Sequence, residues 1–140
     1  MTGDRVTARR LLLRERVLIG LELALSIGAV GGALGMFLDP SGTTSGLDVA
    51  LADLPFPSLL LPGVALLLVN GILPAVVAIG ALRRASWAPW GHLVVGVALL
   101  GWLLAQFWFI GGGHWLQALY VVWGVAITAL ALPAFGLRDS

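Results

Sequence analysis

One carboxylate interrupts the first long apolar run of this sequence: Glu22, in the stretch VLIGLELALSIG. An ionisable residue at the centre of a membrane span costs about 2.5–3.5 kcal/mol and points by default to function. A carboxylate so placed could exchange a proton for a cation in a small transporter. Glu22 lies only about 7–8 Å along a helix from Val17, however. The simpler reading is a side chain that snorkels to the cytoplasmic head groups or pairs with an arginine there. Asn70 sits deeper and could line a polar path. Its simpler reading is interhelical hydrogen bonding, worth about 0.6–2 kcal/mol.

His92 and His114 are the only histidines. The topology derived below puts them at opposite membrane faces, so they cannot share a metal within one chain, and both read as interfacial belt residues. Gln106, His114 and Gln117 could gather near the outer surface with Asp39 or Asp53 as a shallow polar pocket or a partner-docking site, but ordinary interfacial solvation is the simpler reading. Asp39, Asp48 and Asp53 lack the 1,3,5 spacing of a calcium loop. No HExxH, GxSxG, Walker or CxxC pattern occurs. The absence of cysteine excludes disulfides, thiol redox chemistry and thiolate metal sites. No catalytic residue, metal, cofactor or nucleic-acid partner is expected.

The elements that must position these residues are membrane helices. Of 140 residues, 59% are hydrophobic and only 11% charged, and the mean hydropathy is +1.00. A soluble domain is about 25% charged; this chain lacks the polar surface to coat itself in water. Apolar runs cover 17–38, 59–82, 93–110 and 115–132. Each is close to the ~20 residues a helix needs to cross ~30 Å of hydrocarbon. Asp39-Pro40-Ser41-Gly42, Ala88-Pro89-Trp90-Gly91 and Gly111-Gly112-Gly113-His114 read as the turns between them. The expected fold is all-α: one domain, an antiparallel four-helix bundle in the membrane.

All eight basic residues fall on one side of this layout. Arg5, Arg9, Arg10, Arg14 and Arg16 precede span one, Arg83 and Arg84 follow span two, and Arg138 follows span four. The connection 39–58 has aspartates and no Lys or Arg. The positive-inside rule then places both termini and the 83–90 loop in the cytoplasm. Arg9, Arg10, Arg14, Arg16, Arg83 and Arg84 would meet anionic head groups, each adding about 1 kcal/mol of attraction. The basic N-terminus mimics a signal peptide, but the run is long, contains Glu22 and lacks a small-x-small cleavage site, so span one is expected to be retained.

Helical periodicity assigns faces. In span one, Gly20, Ala24, Gly28 and Gly32 form an i,i+4 ladder of the kind that lets helices approach closely. Glu22, Ser26, Ala29 and Ala33 form a second small face, and Ile19, Leu23, Ile27, Val30, Leu34 and Phe37 a lipid-facing stripe. Span two puts Gly63, Asn70, Gly71, Pro74, Ala78 and Ala81 on one side, with a kink expected at Pro74. Span three groups Trp102, Gln106 and Phe109 beside Ala98 and Ala105. Span four groups Gln117, Gly124, Thr128 and Ala131. In the 39–58 connection, Ser45 and Asp48 suggest a capped interfacial helix over Leu47–Asp53 that buries Leu47, Leu51 and Leu54.

Asp39-Pro40-Ser41-Gly42, Pro62-Gly63 with Asn70-Gly71, and Trp115-Leu116-Gln117 resemble a group of small four-span membrane proteins common in actinobacteria and related bacteria. The resemblance implies a protein of the bacterial cytoplasmic membrane and transfers no functional residues. The chain does not resemble the small multidrug transporters, despite a similar size and a carboxylate in span one. The function expected on these grounds is an accessory, scaffold or assembly component acting through helix contacts, with itself or with a partner membrane protein. The alternative is a small oligomeric transporter or channel using Glu22 and Asn70.

Overall fold

The computed structural model describes residues 2–44, 46–111 and 115–135, the side chains of 2–12, 110 and 116 excepted. Every regular element among them is helical. Four stretches are long and apolar enough to cross a membrane: Leu13–Leu38, Leu60–Leu82, Ala88–Phe109 and Gln117–Phe135. The first belongs to α1 (Thr2–Leu38), an unbroken helix of 37 residues. At 1.5 Å per residue it is about 55 Å long, so its arginine-bearing first turns overshoot a ~30 Å hydrocarbon layer.

A one-turn helix, α2 (Asp48–Leu51), lies in the connection to the second span. The second span comprises α3 (Leu60–Leu66), a π-helical segment Leu67–Ile72 and α4 (Leu73–Leu82). Pro74 has no N–H, so the carbonyl of Asn70 loses its α-helical donor. The chain meets this with a wider turn, in which the Leu73 N–H bonds the carbonyl of Leu68. The distortion expected at Pro74 is thus a π segment immediately before it. Helices α5 (Ala88–Ile110) and α6 (Trp115–Ala131) form the last two spans, and a short 3-10 turn, Leu132–Phe135, follows.

Helix α5 begins at Ala88, earlier than the Leu93 expected from the apolar run. Pro89 lies in its first turn, where the missing N–H costs nothing and the fixed φ suits a helix. Ala88-Pro89-Trp90-Gly91 is therefore a helix start, and His92 lies inside the helix.

Helix α1 packs chiefly along the second span and more lightly on α6, while α5 packs most closely on α6 and also meets α4. The close approach of α5 and α6 occurs at glycines. A Cβ at Gly96 would lie 2.9 Å from the backbone nitrogen of Thr128, and one at Gly124 would lie 2.8 Å from Leu100. The α1 ladder expected to serve this purpose is placed differently. Gly20 and Ala24 are exposed, and a Cβ at Gly20 would meet nothing within 4 Å. Gly28 and Gly32 sit at the edge of the interior, where a Cβ would lie 3.8 Å from the Tyr120 hydroxyl and 3.2 Å from Leu66, respectively. The face of α1 that is buried is the second small face, Glu22, Ser26, Ala29 and Ala33, with Leu18 and Leu25 beside it. Two leucines on that face add apolar area that the glycine ladder cannot offer.

The faces of spans two and four lie as their periodicity indicates. Gly63, Asn70, Gly71, Pro74, Ala78 and Ala81 are buried, and Leu61, Leu68, Ile72, Val76 and Ile79 are exposed. On α6, Gln117, Gly124 and Ala131 are buried and Thr128 is half-buried. In span three the expected interior is displaced: His92, Val95, Gly96, Leu99 and Leu103 are buried, Trp102 and Gln106 lie at the margin, and Phe109 and Ala105 are exposed.

The 39–59 connection is pinned by the Leu59 N–H donating to the Pro40 carbonyl at 2.7 Å, and by the Asp48 N–H donating to that of Gly42 at 3.2 Å. Gly42 has φ +74°, and a Cβ there would lie 2.6 Å from the Asp48 nitrogen, so glycine is required. The helix expected over Leu47–Asp53 is the single turn α2. Its N-cap is Leu47, without a side-chain cap, and Ser45 lies outside the described residues. Leu47 and Leu54 instead border an apolar cavity of about 320 Å³ with Trp102 and Phe109.

Candidate functional site

Glu15 and Glu22 are seven residues apart, two turns of helix, and so share one face of α1. Opposite them, His92 opens the buried stripe of α5 that continues through Val95, Leu99 and Leu103. The imidazole bridges the two carboxylates. His92 Nδ1 lies 2.5 Å from Glu22 Oε1, and His92 Nε2 lies 2.8 Å from Glu15 Oε1. His92 is 2% exposed and Glu22 0%, whereas the Glu15 side chain is 36% exposed. The three groups form a line from the partly open end of the interior to its closed part.

The hydrogen-bond arithmetic is restrictive. A carboxylate only accepts and a neutral imidazole donates from one nitrogen. Two N···O bonds therefore need two protons: either an imidazolium between two carboxylates, or a neutral imidazole with one protonated glutamate. Both arrangements carry a net charge of −1 and differ only in where one proton sits. A proton can move along this line without any heavy atom leaving its place. The second oxygen, Glu22 Oε2, is buried and has no partner among the described residues, and it can accept a further proton that would bring the group to neutrality.

Two expectations are corrected here. Glu22 does not snorkel, being fully buried, and its partner among the described residues is His92 on another helix, not an arginine. His92 is a buried member of the interior, not a belt residue, because α5 starts at Ala88 and carries it inward. The periodicity that would have revealed this is Ala88, His92, Val95, Leu99 and Leu103, read back past Pro89. Glu15 precedes the apolar run, and nothing in the sequence sets it apart from the arginines around it. The line does not make a metal site: among the described residues no three His, Asp or Glu side chains could hold a metal ion.

The remaining candidates lie apart from the line. Ser26, one turn beyond Glu22, donates to the Gly71 carbonyl at 2.7 Å and ties α1 to the π segment. That is the role expected of Asn70. Asn70 itself is 2% exposed, and its Oδ1 has no partner among the described residues. It lines a partly open cavity together with Gln106 and Tyr120. Gln117 Nε2 donates to the Gly111 carbonyl at 3.1 Å. Trp123 Nε1 donates to the Leu21 carbonyl at 3.1 Å, joining α6 to α1 beside Glu22 in sequence. Arg16, Arg83 and Arg84 are exposed and Arg14 is half-buried. The side chains of Arg9 and Arg10, and all of His114, lie outside the described residues. No known protein family, no curated protein and no solved structure matches the chain.

Proposed function

We propose that this chain is a multi-pass protein of the bacterial cytoplasmic membrane, with both termini inside, that binds and releases a proton on Glu22 and couples that step to the passage of a small solute. The observation that carries the reading is the buried line Glu15–His92–Glu22. Ionisable residues within spans are rare, face the interior, pair with one another and mark proton relays. The tie between α1 and α5 engages both imidazole nitrogens and leads from a fully buried carboxylate to a partly exposed one. The distribution of arginines supports the orientation, with the 83–90 loop, the first turns of α1 and their anionic head-group contacts on the cytoplasmic side. Glu15 then opens toward the cytoplasm. The role is one of transport, not catalysis, and needs no cofactor.

The test is proton movement in proteoliposomes carrying an internal pH dye, challenged with cations, amines and neutral solutes. Solute-dependent flux in the wild type, lost in Glu22→Gln and His92→Gln while both variants remain folded, is the expected result. Absence of flux across the panel would sink the transport reading.

A second reading, an accessory or assembly component, is favoured by a separate observation. Gly20, Gly31 and Gly35 of α1 are exposed, and a Cβ at any of them meets nothing within 4 Å. Such an outward small-residue face suits close approach of another helix, from a second copy or a partner membrane protein. Gly31→Leu should then abolish co-purification or self-association without unfolding the protomer.

A further inference from the structure

Helix α5 packs on α4 and, more lightly, on the π segment, but hardly at all on α3. The second and third spans therefore diverge toward the end that carries the 39–59 connection. The gap between them is the partly open cavity of about 320 Å³, with Ala65 of α3 on one wall, Ala105 of α5 on the other, and Leu47 and Leu54 of the connection as its roof. No charged side chain lines it. Leu61, Ala105 and Phe109 line it and are themselves exposed, so it is open at the spans. All three fall within the stretches Leu60–Leu82 and Ala88–Phe109, at membrane depth. The backbone bonds from Leu59 to Pro40 and from Asp48 to Gly42 hold the roof in place.

We infer that this cleft holds one acyl chain of a phospholipid whose head group carries an ammonium, drawn from the leaflet on the side of the 39–59 connection. The chain follows from continuity. The cleft extends the exposed apolar faces of its two spans, Leu61 and Leu68 on one and Leu104 and Phe109 on the other, so the acyl chains that cover those faces reach it without crossing water. Water itself does not fill an apolar cavity. The count follows from volume: an apolar cavity of about 150 Å³ takes benzene, so about twice that has room for roughly a dozen carbons, one chain and not two. The head group follows from charge. Asp48 and Asp53 of the roof segment are exposed, and neither connection at this end of the spans contains Lys or Arg, so an anionic head is repelled and an ammonium attracted. The inference rests on the chain being a membrane protein, and not on its moving protons.

The experiment counts retained lipid by native mass spectrometry. The full chain is extracted in mild detergent from nanodiscs of equal parts phosphatidylethanolamine and phosphatidylglycerol with identical acyl chains. The wild type should retain a single lipid, the ethanolamine form over the glycerol form by about fivefold, as exposed ionic contacts allow. Ala105→Trp, at an exposed position, should lower retention by about tenfold or more by filling the cleft, and Ala65→Phe should do the same from the opposite wall. Ala129→Trp, exposed on α6 and outside the cleft, should retain lipid like the wild type. Asp48→Asn combined with Asp53→Asn should keep the lipid and lose the preference. No retained lipid on the wild type, wild-type retention in both filling variants, equal or greater retention of the glycerol form, or a preference that survives loss of both aspartates would each overturn the inference. So would a dimer that Ala105→Trp abolishes with no lipid on the wild type, which would assign the cleft to a second copy. Lipid retention is read without proton flux, so failure of either reading leaves the other standing.

Discussion

His92 decides how Glu22 behaves. Removing one member of a buried ionic pair leaves the other unpaired in a medium that solvates it poorly, which costs about 3–5 kcal/mol. His92→Ala is therefore expected to destabilise the protein by about that much in reversible unfolding from mixed micelles. Glu15→Ala should cost less, within about 1 kcal/mol, because the Glu15 side chain is 36% exposed and can be replaced by water. Equal costs for the two would mean that the line is not graded from open to closed. Glu22 was visible in the sequence as a lone carboxylate in an apolar run. Its partners were not: His92 stood behind a proline that reads as a turn, and Glu15 among arginines that read as head-group contacts. Both are recovered once each helix is allowed to extend beyond its apolar run, because buried periodicity continues where hydropathy stops.

Among the elements, glycine marks contacts only where the partner helix comes near, and sequence spacing does not say where that is. The α1 ladder has the spacing of a packing motif and is largely turned outward, whereas Gly96 and Gly124, in runs with no such repeat, hold α5 against α6. Spans two and four were legible because each has a single stripe of small or polar residues; spans one and three carry competing stripes, and burial chose the one richer in leucine. Gly96→Leu should destabilise the bundle by about 1–3 kcal/mol through overpacking. Gly20→Leu, with open space around it, should stay within about 0.5 kcal/mol. Reversible unfolding of both variants measures this directly, and a reversed order would mean that α1, not the α5–α6 pair, makes the close contact. Ser26→Ala should cost about 0.6–1.7 kcal/mol by breaking the bond to the Gly71 carbonyl, an interhelical hydrogen bond of ordinary strength.

For the whole molecule, the direction in which the proton line opens depends on how the chain sits in the membrane. Arg14, Arg16, Arg83 and Arg84 and the aspartate-bearing 39–58 connection lie at opposite ends of the first two spans, and positive charge is retained on the cytoplasmic side. The chain contains no cysteine, so single introduced thiols report position on a silent background. Thr44 and Ser86 are both exposed, one in each connection. In intact cells a membrane-impermeant maleimide should label Thr44→Cys, and it should label Ser86→Cys only after the membrane is opened. That pattern puts Glu15 at the cytoplasmic end, so that the proton on Glu22 equilibrates with the cytoplasm through His92, while the Asn70 cavity lies deeper and toward the outer half. The opposite pattern would invert the machine: Glu15 would sample the outside, and an inward proton gradient would load Glu22 instead of drawing its proton away. Because the same two variants can be carried into the flux assay, labelling and proton movement can be read on one preparation, and the sign of the flux must agree with the side that Glu15 faces.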